Sequence, residues 1–213
     1  HKIRVACVGD SITWGSAMTN RAEDCYPAQL QRMLDEKAPG RYVVRNFGNP
    51  GRGVYTHTKF GGTCRAFSAM REHKEALAWN PDLVICNLGA NDWEEFPKET
   101  EGKIERGLFR REYGALLRQY QALGSHPKIG IWTRLAPLTK AHPEYDKPVV
   151  AELDAELVSV AHEAGVEAID MQTPLMERLE ENIMADDGIH PTAVGCRRIA
   201  VETCKYVLGE REK

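Results

Sequence analysis

Ile3-Arg4-Val5-Ala6-Cys7-Val8, followed at once by Gly9-Asp10-Ser11-Ile12-Thr13, is the stretch from which the architecture can be read. Branched and small apolar residues suit a pleated, buried strand, whereas Gly, Asp and Ser supply the turn that ends it. The chain repeats the alternation. Four more β-rich runs, Tyr42 to Phe47, Leu83 to Leu88, Ile129 to Thr133 and Val166 to Asp170, are separated by stretches whose apolar residues recur three or four apart. These predict helices over Tyr26 to Glu36, Ser68 to Trp79, Ile104 to Leu123, Val149 to Ala164 and Ala193 to Leu208; Leu116, Leu117, Tyr120 and Leu123 show the stripe. Gly40, Asn80-Pro81, Gly124 with Pro127, and Gly165 stop the helices. Strands alternating with helices predict an α/β chain with a five-stranded parallel sheet covered on both faces. The 213 residues contain no repeat, linker or low-complexity segment, so a single domain is expected.

In such a sheet, ligands bind beyond the carboxyl ends of the strands, so the residues after each run decide function. Gly9-Asp10-Ser11-Ile12-Thr13 follows the first, Gly48-Asn49-Pro50-Gly51-Arg52-Gly53 the second and Gly89-Ala90-Asn91-Asp92 the third. Asp187-Gly188-Ile189-His190-Pro191 precedes the last helix, and the topology brings it to the same edge.

A serine hydroxyl attacks poorly until a base takes its proton, and the base works best when a third group holds its tautomer. Ser11, in a turn after a strand, is the candidate nucleophile; His190 is the candidate base and Asp187 its orienter. The three-residue spacing lets one turn of backbone set the carboxylate against Nδ1, leaving Nε2 for the serine; for Asp186 that spacing is lost. Attack on an ester carbonyl creates an oxyanion, which needs preorganised donors. The candidates are the backbone N–H of Ser11, the backbone N–H of Gly51 and the side-chain amide of Asn91. Asp10 and Asp92 are expected to brace their loops through backbone hydrogen bonds. Trp14, Arg52, Tyr55, Trp93 and Arg134 are candidate substrate-binding residues on the mouth loops, the tryptophans as stacking faces for a sugar ring. His57 is a further polar candidate there, while His73, His126, His142 and His162 receive no role.

These segments, in this order, resemble the motif blocks of the SGNH (GDSL) hydrolase superfamily over nearly the whole chain. Gly9-Asp10-Ser11 matches the nucleophile block, Gly51 within Asn46-Phe47-Gly48-Asn49-Pro50-Gly51 the glycine block, Gly89-Ala90-Asn91-Asp92 the asparagine block and Asp187-Gly188-Ile189-His190 the Asp-x-x-His block. The family's offset from Asn46 selects Gly51 over Gly48 and Gly53. The resemblance implies a flavodoxin-like three-layer α/β/α sandwich, one catalytic domain over 1–213, and ester hydrolysis with no cofactor and no metal. The G-x-S-x-G elbow of α/β-hydrolases is missing, because Thr13 stands where the second glycine would be.

The remaining features narrow the function. Lys and Arg number 28 against 31 Asp and Glu, a net charge of −3, so nothing favours a nucleic-acid partner. No apolar stretch approaches the roughly 20 residues of a membrane span. Cys7 and Cys86 sit in strand runs and are expected to pack as small hydrophobes; Cys25 and Cys64 could pair in loops; no Cys/His spacing suggests zinc. The expected substrate is a short-chain, acetyl ester on a carbohydrate, since no long apolar insertion offers a lipid lid. Lysophospholipase or thioesterase activity on the same residues is the alternative, ahead of a metal-dependent phosphoesterase or a binding module. A first residue of His1 rather than methionine is what removal of a leader leaves, though a cloning remnant would leave the same; it agrees with a secreted or periplasmic carbohydrate esterase.

Overall fold

The computed structural model describes residues 2–133, 148–177 and 184–210. Five strands, β1 (Ile3–Gly9), β2 (Tyr42–Gly48), β3 (Leu83–Asn87), β4 (Lys128–Trp132) and β5 (Glu167–Ile169), form one sheet in the order β2-β1-β3-β4-β5. Every neighbouring pair is parallel. The chain winds outward from β1 in both directions, so the β1 edge is a topological switch point, where crevices form.

Because successive side chains point to opposite faces, β1 and β3 each feed two separate cores. Ala6, Val8, Val84 and Cys86 pack with α2 (Arg71–Trp79), α3 (Leu108–Gln121) and α4 (Pro148–Ala164), through residues such as Ala76, Phe109, Leu117 and Leu157. Val5, Cys7, Leu83 and Ile85 pack on the other side with α1 (Tyr26–Lys37) and α5 (Ala193–Leu208), through Leu30, Leu34, Ile199 and Cys204. The expected three-layer sandwich is therefore present. A sheet buried on both faces has no polar side, which is why β3 is buried at every position. Each fully buried Leu, Ile or Phe contributes about 1.5–3 kcal/mol relative to exposure.

The helix ends show where local signals sufficed. Asn80 closes α2 in the left-handed conformation, φ 50°, just before Pro81, as that dipeptide predicts. The α3 start differs: the periodicity predicted Ile104, but the helix begins at Leu108. Its first turn is capped from a distance, because Glu99 accepts the N–H groups of Gly107 and Phe109, both at 2.7 Å. The segment predicted as helix from Ser68 divides into a 3₁₀ turn, Phe67–Ala69, and α2 proper. Short helices at Ser11–Trp14, Arg21–Asp24, Phe96–Thr100 and Gln172–Met176, and the hairpin Lys59–Phe60/Thr63–Cys64, were not anticipated.

All six cysteines are free, so the suggested Cys25–Cys64 pair is not formed. Cys64 instead donates its thiol to the Thr56 carbonyl at 3.2 Å. Burial pushes the Cys7 and Cys86 thiols up to about 12, which keeps them inert packing groups.

The end of β2 is pressed against the short helix that begins at Ser11. Asn46 Nδ2 donates to the Thr13 carbonyl at 2.8 Å, and a Cβ on Gly48 would stand 2.2 Å from Trp14 N and 2.7 Å from the Thr13 carbonyl carbon. Both obstacles are backbone and cannot rotate away. Gly48→Ala is therefore expected to destabilise the fold by about 3 kcal/mol. For a chain of this size that lowers Tm by roughly 6–12 °C in a thermal melt; an unchanged Tm would mean that the two segments are not in contact.

Candidate active site

Ser11 is the first residue of the four-residue helix Ser11–Trp14, which starts where β1 stops. Asp10 caps it, accepting the Ile12 N–H at 2.9 Å, so the Ser11 side chain is not needed for the cap. Asp10 is 1% exposed and also accepts Asn87 Nδ2 and Asn91 Nδ2 at 3.4 and 3.3 Å. Burial pushes its carboxyl up to about 7, against the pull of the Ile12 N–H and of nearby His190. Asp92, equally buried, accepts the N–H groups of Val54 and Tyr55. Burial pushes it up to about 7 as well, against those donors and Arg65. Both acids thus tie one loop of the mouth to itself or to its neighbour.

The last segment builds its geometry within four residues. Asp187 Oδ1 accepts the N–H groups of Ile189 and His190, each at 2.9 Å, while Oδ2 lies 2.6 Å from His190 Nδ1. The turn between them passes through Gly188 at φ 65°, a conformation L side chains rarely adopt. Partial burial works against the Asp187 charge, but the ring and the two backbone N–H groups outweigh it and hold the carboxyl below its ordinary value. Thr192 then caps α5 by accepting the Gly195 N–H at 3.2 Å, which anchors the segment on the helix. His190 Nε2 lies 2.9 Å from Ser11 Oγ. Chemically, this chain of contacts can move a proton off the hydroxyl onto a ring whose other nitrogen faces a carboxylate.

The glycine and asparagine loops flank that serine. Gly51 has φ 74°, which favours glycine, and its open side is filled by the Phe60 ring, 2.4 Å from where a Cβ would stand. Asn91 lies in a 3₁₀ turn, Ala90–Asp92, and donates its amide to the Arg52 carbonyl at 2.9 Å as well as to Asp10. Neither the Ser11 N–H nor the Gly51 N–H donates to another described residue.

The other mouth candidates divide. Trp14 is 38% exposed, with the Arg21 guanidinium 4.4 Å from its ring centroid, so one face is already covered. Trp93 is partly buried and packs on the core beneath the loops. Tyr55 is corrected: it is fully buried, its hydroxyl donates to Glu99 at 2.8 Å, and burial and that carboxylate hold the phenol well above its ordinary range. A residue so enclosed braces the loop and touches no ligand. Arg52 donates to Asn49 Oδ1 at 2.9 Å and to the Cys64 carbonyl at 3.0 Å, which fixes its guanidinium between the glycine loop and the hairpin. His57 faces Glu95 at 2.9 Å, and His73 is buried against Tyr120 and Gln119. Arg134 and His142 lie outside the described residues. Glu99 carries no motif in the sequence that marks it as a brace, whereas the hairpin is announced by Gly61-Gly62 between strand-forming residues.

Among the described residues, no three His, Cys, Asp or Glu side chains gather closely enough to hold a metal ion, and no helix is long and apolar enough to cross a membrane. A sequence profile of the GDSL-like Lipase/Acylhydrolase family matches residues 7–198. An acetylxylan esterase of Xylanibacter ruminicola is 31% identical over 212 residues, covering 93% of this chain; the chain spans only 42% of that relative's length. Among solved structures, the lipase/acylhydrolase of Enterococcus faecalis superposes with a TM-score of 0.74 at 20% identity, over 99% of this chain and 97% of that one. An acetyl xylan esterase superposes with a TM-score of 0.69 at 20% identity, over 96% of this chain and 100% of that one. A two-domain esterase active on acetylated mannans gives 0.69 at 20% identity, over 98% of this chain and 50% of that one. At such identities the superpositions establish the fold.

Proposed function

The chain belongs to the GDSL-like lipase/acylhydrolase family, and from that premise we propose that it is a carboxylic ester hydrolase with Ser11 as nucleophile, His190 as general base and Asp187 as its orienter. The observation that carries this is the continuous relay from Asp187 through His190 to Ser11, at 2.6 and 2.9 Å.

His190 Nε2 takes the Ser11 proton as Oγ attacks the acyl carbon. The carbonyl electron pair moves onto oxygen, where the Ser11 N–H, the Gly51 N–H and the Asn91 amide receive the charge. Asn91 keeps its short bond to the Arg52 carbonyl, and the long contact to Asp10, 3.3 Å, is the one an oxyanion displaces. Collapse breaks the ester C–O bond, and protonated His190 gives its proton to the departing alcohol. Water, deprotonated by His190, then attacks the acyl-enzyme; collapse releases the carboxylic acid and returns the proton to Ser11. We read residues 1–213 as one catalytic domain for this chemistry.

We further assign it a short acyl group, acetyl, carried on a carbohydrate. Support comes from the relatives, two of which are acetylxylan esterases and a third of which is active on acetylated mannans. The exposed Trp14 and Phe60 rings beside the serine and glycine loops suit a sugar face. Hydrolysis of p-nitrophenyl acetate, butyrate and octanoate, with and without a chelator, tests both parts, together with acetate release from acetylated xylan. Turnover should fall with chain length, survive the chelator and be accompanied by acetate release. A preference for octanoate would favour the lysophospholipase or thioesterase alternative; loss of activity with chelator would sink the serine reading.

A further inference from the structure

The unanticipated hairpin stands against the glycine loop. Its strands turn through Gly61 and Gly62, at φ 58° and 79°, and lead directly into Arg65. The backbone of Arg65 is pinned on both sides: its N–H donates to the Thr58 carbonyl at 2.8 Å, and its carbonyl accepts the Gly53 N–H at 3.2 Å. The next residue, Ala66, bridges in parallel to Gly53. From this base the guanidinium reaches back across the mouth. Nε donates to the Gly51 carbonyl at 3.2 Å and Nη1 to the Asn91 carbonyl at 2.9 Å. The guanidinium carbons of Arg65 and Arg52 lie 5.5 and 5.7 Å from the centroid of the Phe60 ring, which itself fills the space beside Gly51.

Those two carbonyls belong to the two residues that would receive the oxyanion alongside Ser11. They sit on separate loops, after β2 and β3, and the spacing between the loops decides whether both donors converge on one oxygen. A planar fork with fixed donor directions can hold two acceptors at a set separation; an ammonium cannot. A misplacement of about 1 Å in such a site can cost on the order of 100-fold in rate. Asp92 adds a second tie, since it reaches from the asparagine loop to the Val54 and Tyr55 N–H groups of the glycine loop.

We propose that Arg65 is a positioning residue that clamps the glycine and asparagine loops through their backbone carbonyls and so sets the spacing of the Gly51 and Asn91 donors. It touches no substrate atom, and its effect is felt in the transition state rather than in substrate binding. The proposal rests on the serine-esterase reading.

The test compares wild type, Arg65→Met and Arg65→Lys on p-nitrophenyl acetate, with kcat and KM separated, thermal melts, and inhibition by phenylboronic acid, whose adduct on a serine is tetrahedral and anionic. Arg65→Met should lower kcat roughly 10- to 100-fold with KM within about threefold, and weaken the boronate by a similar factor. Arg65→Lys, whose ammonium cannot hold both carbonyls at a set separation, should lose kcat nearly as far as Arg65→Met. Values of kcat and boronate affinity within twofold of wild type in folded Arg65→Met would overturn the clamp, as would a loss confined to KM. Should Arg65→Met not fold, Arg65→Lys decides: a lowered kcat at unchanged KM supports the proposal, and wild-type kcat overturns it. A wild type inactive on every ester would sink the esterase reading itself, and one as active after Ser11→Ala would sink its serine mechanism.

Discussion

Ser11→Ala is expected to lower kcat on p-nitrophenyl acetate by roughly 10⁵-fold or more while leaving the melting temperature within a degree or two. The size follows from how such relays fail: loss of the nucleophile costs about as much as loss of the whole relay, and the oxyanion donors and binding supply what remains. The small structural effect follows from this site. The cap of the short helix is Asp10, not Ser11, and the Ser11 hydroxyl is bonded to His190 alone among the described residues. Alanine is well tolerated in a helix, and the methyl group leaves the space of one oxygen. Parallel measurement of kcat and Tm checks both halves; turnover near wild type in a folded variant would remove Ser11 from the mechanism.

Asp187→Asn comes next, with kcat expected to fall about 10³- to 10⁴-fold at nearly constant KM. Asparagine can still accept the Ile189 and His190 N–H groups through its oxygen, so the turn survives. Its amide nitrogen, however, would then face His190 Nδ1. That forces Nδ1 to accept and places the ring proton on Nε2, where it points at Ser11 and cannot take the hydroxyl proton. The Asp187 side chain is 44% exposed, so water can partly replace it, and for that reason the expected loss is smaller than for Ser11. A fall of less than tenfold would show that the carboxylate does not set the tautomer.

Much of this site is written in short stretches of sequence. The Asp187–His190 arrangement closes within one turn, through a glycine and two backbone N–H groups supplied by the same four residues, so spacing was enough to read it. Asp10 is similar, because its main partner is two residues away. Where a distant partner decides, local pattern misleads. Tyr55 looked like a mouth residue because it follows the glycine loop, but Glu99, 44 residues on, draws its hydroxyl inward. The hold on Arg52 is likewise distant, because the hairpin supplies the Cys64 carbonyl that its guanidinium meets. The start of α3 was misplaced because its cap is a glutamate outside the helix.

By itself, the sequence determined the five strands, the two-sided burial of the sheet, which turns after the strands carry the motifs and the local Asp187–His190 geometry. Each of these depends on side-chain period or on partners within a turn, and such interactions form wherever the segment sits. Only the tertiary structure decided that His190 meets Ser11 across 179 residues, that Tyr55 and Arg52 brace loops, and that Arg65 spans the Gly51 and Asn91 carbonyls. Those contacts require strands β1, β2 and β3 to pair in one register, and register is a property of the assembled sheet.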